Sequence, residues 1–344
     1  MKRTHETPEF VRVEYKNGSS SEFYVLNNQI HGSYKCYYDN GQIKIEANYQ
    51  NGKLHGPYIE WHPFGKLKID LNYQNGNHHG SRKCYYTNGQ IETEANYQNG
   101  KLHGPFREYS YDGKIVIEAD YKDGFINGQL KKWYMSGKLK SEKNYHDGIL
   151  NGPFREYYED EKLKSEKNYH DGSLNGSCKE YYDNGQIERE SNYQDGFING
   201  QSKRYYYISG KLQIDSNFHN GKLHGPCKEY FPDGQIKRES NYKHDKLYGP
   251  CKEYFPDGQI EKEINYQNYN RHGSYKEYYP SGQLKTEANY NDGNLYGQSK
   301  EYFPDGSINN VCNNNDIIDL LTQLNIDSET VKCVMFDYNK KVKD

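Results

Sequence analysis

Three kinds of side chain recur through this sequence at a spacing that invites a chemical reading. Histidine stands just before a recurring glycine at His31, His55, His79, His103, His224 and His272, and imidazoles at regular intervals are zinc-ligand material. An acidic residue recurs from Glu46 to Glu287, the raw material of paired-carboxylate acid–base chemistry. An aromatic residue recurs at Tyr37, Trp61, Tyr85, Tyr109, Trp133, Tyr157, Tyr181, Tyr205, Tyr230, Tyr254, Tyr278 and Tyr302. Side chains with an apolar body and a polar tip are favoured at protein interfaces.

Regularity itself argues against the first two readings. If each repeat adds two strands at about 4.8 Å, successive histidines stand roughly 10 Å apart, whereas the ligands of one zinc lie about 2 Å from it. Other copies carry Asn or Tyr in that place, and His78-His79 is the one adjacent pair. Each acidic residue, in turn, has a cation across from it in most units and a copy in the next. That pattern describes a solvated face of ion pairs, while a catalytic centre is a local exception. The sequence contains no G-x-x-x-x-G-K-[ST], H-E-x-x-H or G-x-S-x-G, the motifs of phosphate loops, zinc peptidases and serine hydrolases. The expectation is no enzyme, no metal and no cofactor. The aromatic series then has two readings: a packing ladder between repeats, or an exposed track for a partner.

The elements that carry these residues follow from glycine. One glycine marks the period, at Gly32, Gly56, Gly80, Gly104, Gly128, Gly152, Gly176, Gly200, Gly225, Gly249, Gly273 and Gly297; every step is 24 residues except Gly200 to Gly225, where one residue is inserted near Tyr205-Tyr206-Tyr207. Nine residues past most markers comes a turn glycine, as in Asn40-Gly41 and Asp233-Gly234, and a second turn such as Asn51-Gly52 precedes the next marker. Each unit therefore reads strand A, turn, strand B, turn. Asn-Gly and Asp-Gly predict two-residue type I′ turns with positive φ at both residues.

Pairing outward from Asn40-Gly41 sets Tyr38 against Ile43, Tyr37 against Lys44, Cys36 against Ile45, Lys35 against Glu46 and Tyr34 against Ala47. Around Asp233-Gly234 it sets Phe231 against Ile236, Glu229 against Arg238 and Lys228 against Glu239. Apolar meets apolar and opposite charges meet, each pair contributing about 0.2–1 kcal/mol. A hairpin of this size is not stable alone. Stacking neighbours edge to edge buries the aromatic series and the Ile or Leu after each first turn, Ile43 to Ile308, so stability becomes a nearest-neighbour sum. At about 9.6 Å per repeat the array would run roughly 110 Å. Glu161, Asp245 and Tyr269 stand where a turn glycine is expected. Non-glycine residues at positive φ cost about 1–2 kcal/mol, so those turns are expected to be rearranged and to mark specialised patches.

Composition agrees with a thin repetitive structure. Only 33% of the 344 residues are hydrophobic, too few for two large cores, yet 38 tyrosines contradict disorder, which is aromatic-poor. The net charge of −3 with interleaved signs leaves no footprint for nucleic acid. No stretch approaches the roughly 18 apolar residues of a membrane span, and Met1 to Phe10 lacks the apolar run of a signal peptide. The seven cysteines (36, 84, 178, 227, 251, 312 and 333) form no C-x-x-C pair and read as small structural residues of a reduced, intracellular, cytoplasmic protein.

The ends need covering, because an open array leaves two bare edges. Residues 1–31 read as a degenerate half-repeat, with Phe10 to Tyr15 in the place of strand B. Residues 32–310 hold the array. Residues 311–344 read as a capping segment, with Ile317, Leu320, Leu321 and Leu324 at helical spacing behind an Asn/Asp cap, which predicts a short helix over Asp316 to Leu324. Val331 to Tyr338 reads as helix or strand.

The stretch Tyr49-Gln50-Asn51-Gly52-Lys53-Leu54-His55-Gly56, echoed at Tyr97 to Gly104 and Phe218 to Gly225, resembles the MORN repeat (membrane occupation and recognition nexus). The 24-residue variant, opened by segments such as Tyr37 to Ile43, is the nearer match, and the resemblance spans about residues 9–310. It implies an all-β, elongated single-layer antiparallel sheet or solenoid with a groove along one face. It also implies protein–protein contact, self-association and, in some members, phosphoinositide or membrane binding. The variant is known from antitoxin-like bacterial proteins and from large DNA viruses, in which case the host cytoplasm is the expected location. The functional expectation is a non-enzymatic scaffold for a protein partner, with an antitoxin-like pairing to one cognate protein as a special case. The alternative is a peripheral phospholipid-binding protein. Almost every Lys has a nearby carboxylate, which argues against the alternative.

Overall fold

In a computed structural model, residues 7–313 are described. Among them are 28 strands, from β1 (Glu9–Glu14) to β28 (Ile308–Asn313), and no helix. No helix is long and apolar enough to cross a membrane among these residues. The chain divides into two compact units, one ending at Ser173 and one starting at Leu174. In the first, every strand from β1 to β14 (Leu163–His170) pairs antiparallel with its neighbours in sequence. The second has the same meander from β15 (Ser173–Tyr181) to β28.

The middle of each predicted register is present: Tyr34↔Ala47, Lys35↔Glu46 and Cys36↔Ile45 join β3 (Gln29–Tyr37) to β4 (Ile43–Gln50). Near the first turn it is not. Tyr37 pairs with Ile43 rather than Lys44, with a bulge between. Tyr38 lies in the loop, its N–H donating to the Gln42 carbonyl while the Gly41 N–H donates back to Tyr38. The same correction applies at Tyr230↔Ile236, where Phe231 was expected to face Ile236. This is a three-residue loop, a type I turn closed by one left-handed glycine. Asn40 is absent from the positive-φ residues, whereas Gly41 has φ 80°. Asn40 is there for another reason: its Oδ1 accepts the Gln42 N–H at 3.0 Å, a bond repeated at Asn88, Asn184, Asp233 and Asp257. Asx side chains bond their own backbone two residues on in this way.

The type I′ signature belongs to the second turn alone. Asn51 and Gly52 have φ 50° and 74°, between Gln50↔Lys53. The glycine substitutes are also not rearranged. Glu161, Asp245 and Tyr269 take φ 71°, 66° and 75° and keep the glycine hydrogen bonds, to Tyr158, Leu223 and Leu247 respectively. Stacking on neighbouring repeats therefore overrides a local backbone cost.

All twelve marker glycines have φ between 75° and 116°. The reason is a bulge in the strand register. Between Ala47↔Tyr58 and Tyr49↔Leu54, residues 55–57 bulge opposite Asn48, while on the other side Gly56 pairs in step with Tyr73. A Cβ on Gly56 would sit 3.9 Å from its nearest neighbour, so conformation, not space, selects glycine here.

The N-terminal segment is a whole hairpin rather than a half-repeat. β1 takes the place of strand A and pairs with β2 (Ser20–Leu26), around a Tyr15–Ser19 loop with the same hydrogen bonds as the first turns. The residue inserted in the Gly200 unit lengthens its first turn, where the Tyr206 N–H donates to Lys211, and Tyr205↔Leu212 restores the register. The expected helix Asp316 to Leu324 and the segment Val331 to Tyr338 lie outside the described residues.

Candidate interaction surface

Strand pairing sorts the repeat into two faces. One carries the residue one past the marker (Ser, Pro or Gln), the basic residue three past it, the aromatic residue five past it, and from strand B the acidic residue and the following Asn. In the Gly32 unit these are Ser33, Lys35, Tyr37, Glu46 and Asn48. All twelve members of the predicted aromatic track are half-buried and none is fully buried or fully exposed.

On this face the acidic residue joins consecutive repeats. Within a unit it holds the cation: Lys35–Glu46 at 2.9 Å, Lys83–Glu94 at 3.0 Å, Lys228–Glu239 at 2.8 Å and Lys252–Glu263 at 3.0 Å. From the next unit it accepts the track hydroxyl: Tyr109 to Glu94 at 2.9 Å, Tyr157 to Glu142 at 3.0 Å, Tyr205 to Glu190 at 2.6 Å, Tyr254 to Glu239 at 2.9 Å, Tyr278 to Glu263 at 3.0 Å and Tyr302 to Glu287 at 2.8 Å. Tyr37 donates likewise to Glu22, at 3.0 Å. Tyr85 and Tyr230 make no such bond, because the acid fifteen residues before each is Asp70 or Asp215, one methylene shorter. These contacts lower the carboxyl pKa of Glu94, Glu239 and Glu263, the lysine ammonium contributing most. Burial and then the acceptor push Tyr254 up to about 12.

A second aromatic series escaped the sequence reading. The tyrosine after the track residue donates its hydroxyl to the backbone carbonyl of the next track residue: Tyr38 to Trp61, Tyr86 to Tyr109, Tyr134 to Tyr157, Tyr182 to Tyr205, Tyr206 to Tyr230 and Tyr279 to Tyr302, all at 2.7–2.9 Å. The signal was the doubled Tyr-Tyr, visible at Tyr37-Tyr38 and Tyr278-Tyr279.

The opposite face buries the core. Its apolar residues Ala47, Leu71, Ala95 and Ala119 are nearly inaccessible, covered by rings that meet edge to face, as in Tyr34–Tyr49, Tyr58–Tyr73 and Phe106–Tyr121 with centroids 5.6–5.8 Å apart. The ring pairs, not the predicted track, do most of this covering.

The histidine series faces the neighbouring turn. His55 Nδ1 accepts the Asn75 N–H at 3.4 Å; the same atom in His31, His79 and His224 is buried without a hydrogen-bond partner, and that of His103 stands 3.6 Å from the Asp123 carboxylate. His78 and His79 part company: His78 packs edge-on to Tyr73 and Tyr97, and burial with the Arg82 charge lowers its pKa. Among the described residues no group of three or more His, Cys, Asp or Glu side chains is placed to hold a metal. Cys36, Cys84, Cys227 and Cys251 are free thiols, and burial pushes Cys227 up to about 11. Cys333 lies outside the described residues.

Fold and surface together define an array of β-hairpin repeats cross-linked through one patterned face. The MORN repeat variant model matches residues 30–51, 54–75, 79–99, 102–123, 126–147, 150–171, 174–195, 223–244, 247–268 and 271–292, and the chain belongs to that family. The unmatched interval 196–222 contains the lengthened turn. MORN repeats are non-catalytic modules of protein and membrane interaction. No curated protein matches the chain.

Proposed function

We propose that the chain is a non-enzymatic scaffold that mediates protein–protein interaction along the aromatic track. The observation behind this reading is the hydroxyl–carboxylate lock that recurs at Tyr37, Tyr109, Tyr157, Tyr205, Tyr254, Tyr278 and Tyr302. Side chains already held in place lose little rotamer freedom on binding, which favours affinity. Lysines of the same face are engaged by carboxylates, which leaves little unpaired charge for nucleic acid or an anionic bilayer. The partner is a protein, which includes the case of a second copy of this chain.

Affinity capture with the full chain, alongside Tyr254→Ala and Tyr278→Ala variants whose folding is checked by circular dichroism, tests this. Specific partners should be retained by the parent and lost from the variants. An unchanged set of captured proteins, or salt-sensitive co-sedimentation with anionic vesicles in its place, would sink the reading.

A further inference from the structure

Two members of the track differ from the rest. Trp61 and Trp133, the only tryptophans of the chain, have no hydroxyl to give to Glu46 and Glu118 of the preceding units, and neither indole N–H has a hydrogen-bond partner among the described residues. Neither nitrogen is among the fully buried unpartnered atoms, so neither donor is sealed from solvent. Both belong to the first compact unit and stand three repeats apart, 133 − 61 = 72 residues, or about 29 Å along the array at about 4.8 Å per strand.

The ground between the track residues is also periodic and close to neutral. Lys35, Lys83, Arg107 and Arg155 are each paired with a glutamate, and Asp70 and Lys131, which make no ion pair among the described residues, carry opposite charges, so the face sums close to neutral and an uncharged ligand is complementary. A hollow of about 160 Å³ opens between the Gly32 and Gly56 units, lined among others by Ser33, Asn48, Pro57 and Ile59. Hollows at the same repeat positions recur in the second unit, at Ser177 and Ser274.

We infer that the track of the first unit binds an uncharged, proline-rich segment in the polyproline II conformation, whose backbone carbonyls accept the Trp61 and Trp133 N–H groups. The reasoning is one of period. A ligand lying along the array must show the same side every 9.6 Å or so. A polyproline II helix does so every three residues, about 9.3 Å, and drifts only about 1.5 Å over the five steps from Tyr37 to Tyr157. A β-strand repeats its side every two residues, about 6.6 Å, and falls out of step at once. An α-helix repeats near seven residues, about 10.5 Å, and drifts by about 4–5 Å over the same distance. Polyproline II also leaves every carbonyl unpaired, and aromatic-lined grooves are its general mode of recognition. About nine residues span the distance between the two indoles.

The inference rests on the scaffold reading, and the experiment separates the two. Tryptophan emission of the full chain is titrated with proline-rich peptides of about six and about twelve residues and with a glycine–serine peptide of the longer length. The longer proline peptide should give a saturable change and bind at least about tenfold tighter than the shorter, which cannot reach both indoles. By calorimetry Trp61→Phe and Trp133→Phe should each weaken that peptide about tenfold, with the thermal midpoint lowered only slightly, because part of a half-buried ring but no internal hydrogen bond is lost. Equal binding of the glycine–serine peptide, tighter binding of a helical peptide, or no saturable change overturns the polyproline assignment. If that happens while captured proteins still depend on Tyr254 and Tyr278, the scaffold reading stands without it; if neither dependence is found, both fall.

Discussion

From Gly32 to Gly152 the residue two past each marker is Tyr34, Tyr58, Arg82, Phe106, Leu130 and Phe154, whereas from Gly176 to Gly225 it is Cys178, Ser202 and Cys227. The facing residue changes in parallel, from Ala47, Leu71, Ala95, Ala119, Lys143 and Lys167 to Ser191, Ser216 and Ser240. The first stretch covers Ala47, Leu71 and Ala119 with rings and sets Lys143 and Lys167 over the Phe154 ring. The second satisfies hydroxyls: Ser191 and Ser202 share a hydrogen bond at 2.7 Å, Ser216 donates to the Ser202 carbonyl and Ser240 to that of Cys227. Strand pairing and the face that bears the track are alike in both. The core face can therefore change chemistry while the outer lock of Tyr, Glu and Lys is kept, which separates what holds a repeat together from what it presents.

The largest test of this contrast is truncation. Phe154 is buried, its ring tilted against Tyr169 and beneath the Lys143 ammonium at 4.3 Å, so Phe154→Ala should cost about 3 kcal/mol, whereas Cys227→Ala should cost about 1 kcal/mol. Urea unfolding followed by hydrogen exchange measures both, and equal costs would erase the distinction. Next comes hydroxyl pairing. Ser202→Ala strands the buried Ser191 hydroxyl and should cost about 1–2 kcal/mol, while adding Ser191→Ala should restore part of the loss, because no polar group is then left unpaired. A double-mutant cycle in urea reads that recovery; strict additivity would show that the pair is not coupled.

Smaller effects sit in the turns. Glu161→Gly should stabilise the first unit by about 1 kcal/mol, because only an exposed ion pair to Lys138 opposes the backbone gain. Asp245→Gly should gain less, since the Asp245 carboxylate accepts the Leu223 N–H at 2.7 Å. Melting of the two variants decides this, and an equal gain would mean that the Asp245 bond contributes nothing.

Titration gives the smallest change. Tyr58 and Tyr254 are both pushed up to about 12, Tyr58 chiefly by burial and Tyr254 by burial and its bond to Glu239. A raised tyrosine pKa stabilises the fold fully below the ordinary 10.0, and that contribution is lost as pH climbs towards about 12. The lowered Glu239 does the reverse, stabilising above the ordinary 4.5 and losing that contribution as pH falls through the folded value. Glu239→Gln should bring the Tyr254 pKa down and leave Tyr58 unmoved, as read by tyrosinate absorbance. A shift at both, or at neither, would count against the lock.

Much of this was legible in one dimension because the structure is built from sequence neighbours. Lys35 facing Glu46 and Cys36 facing Ile45 follow from alternation around a known turn. The turn type was misread because Asn-Gly serves two different turns, one through positive φ at Asn51 and one through the Asn40 side-chain bond to Gln42. The aromatic positions are periodic and so legible, but not their hydroxyl acceptors fifteen residues back, which depend on how one hairpin lies against the last.

By itself the sequence determined the period, the marker glycines, the strand order and the ion pairs, since all are local and repeat until chance is excluded. Only the tertiary structure decided which aromatic residues cover the core, which carbonyls the second tyrosines reach, and that Glu161, Asp245 and Tyr269 accept a glycine conformation. Those outcomes depend on contacts between successive repeats, where the summed packing of a stacked hairpin outweighs the preference of any one residue.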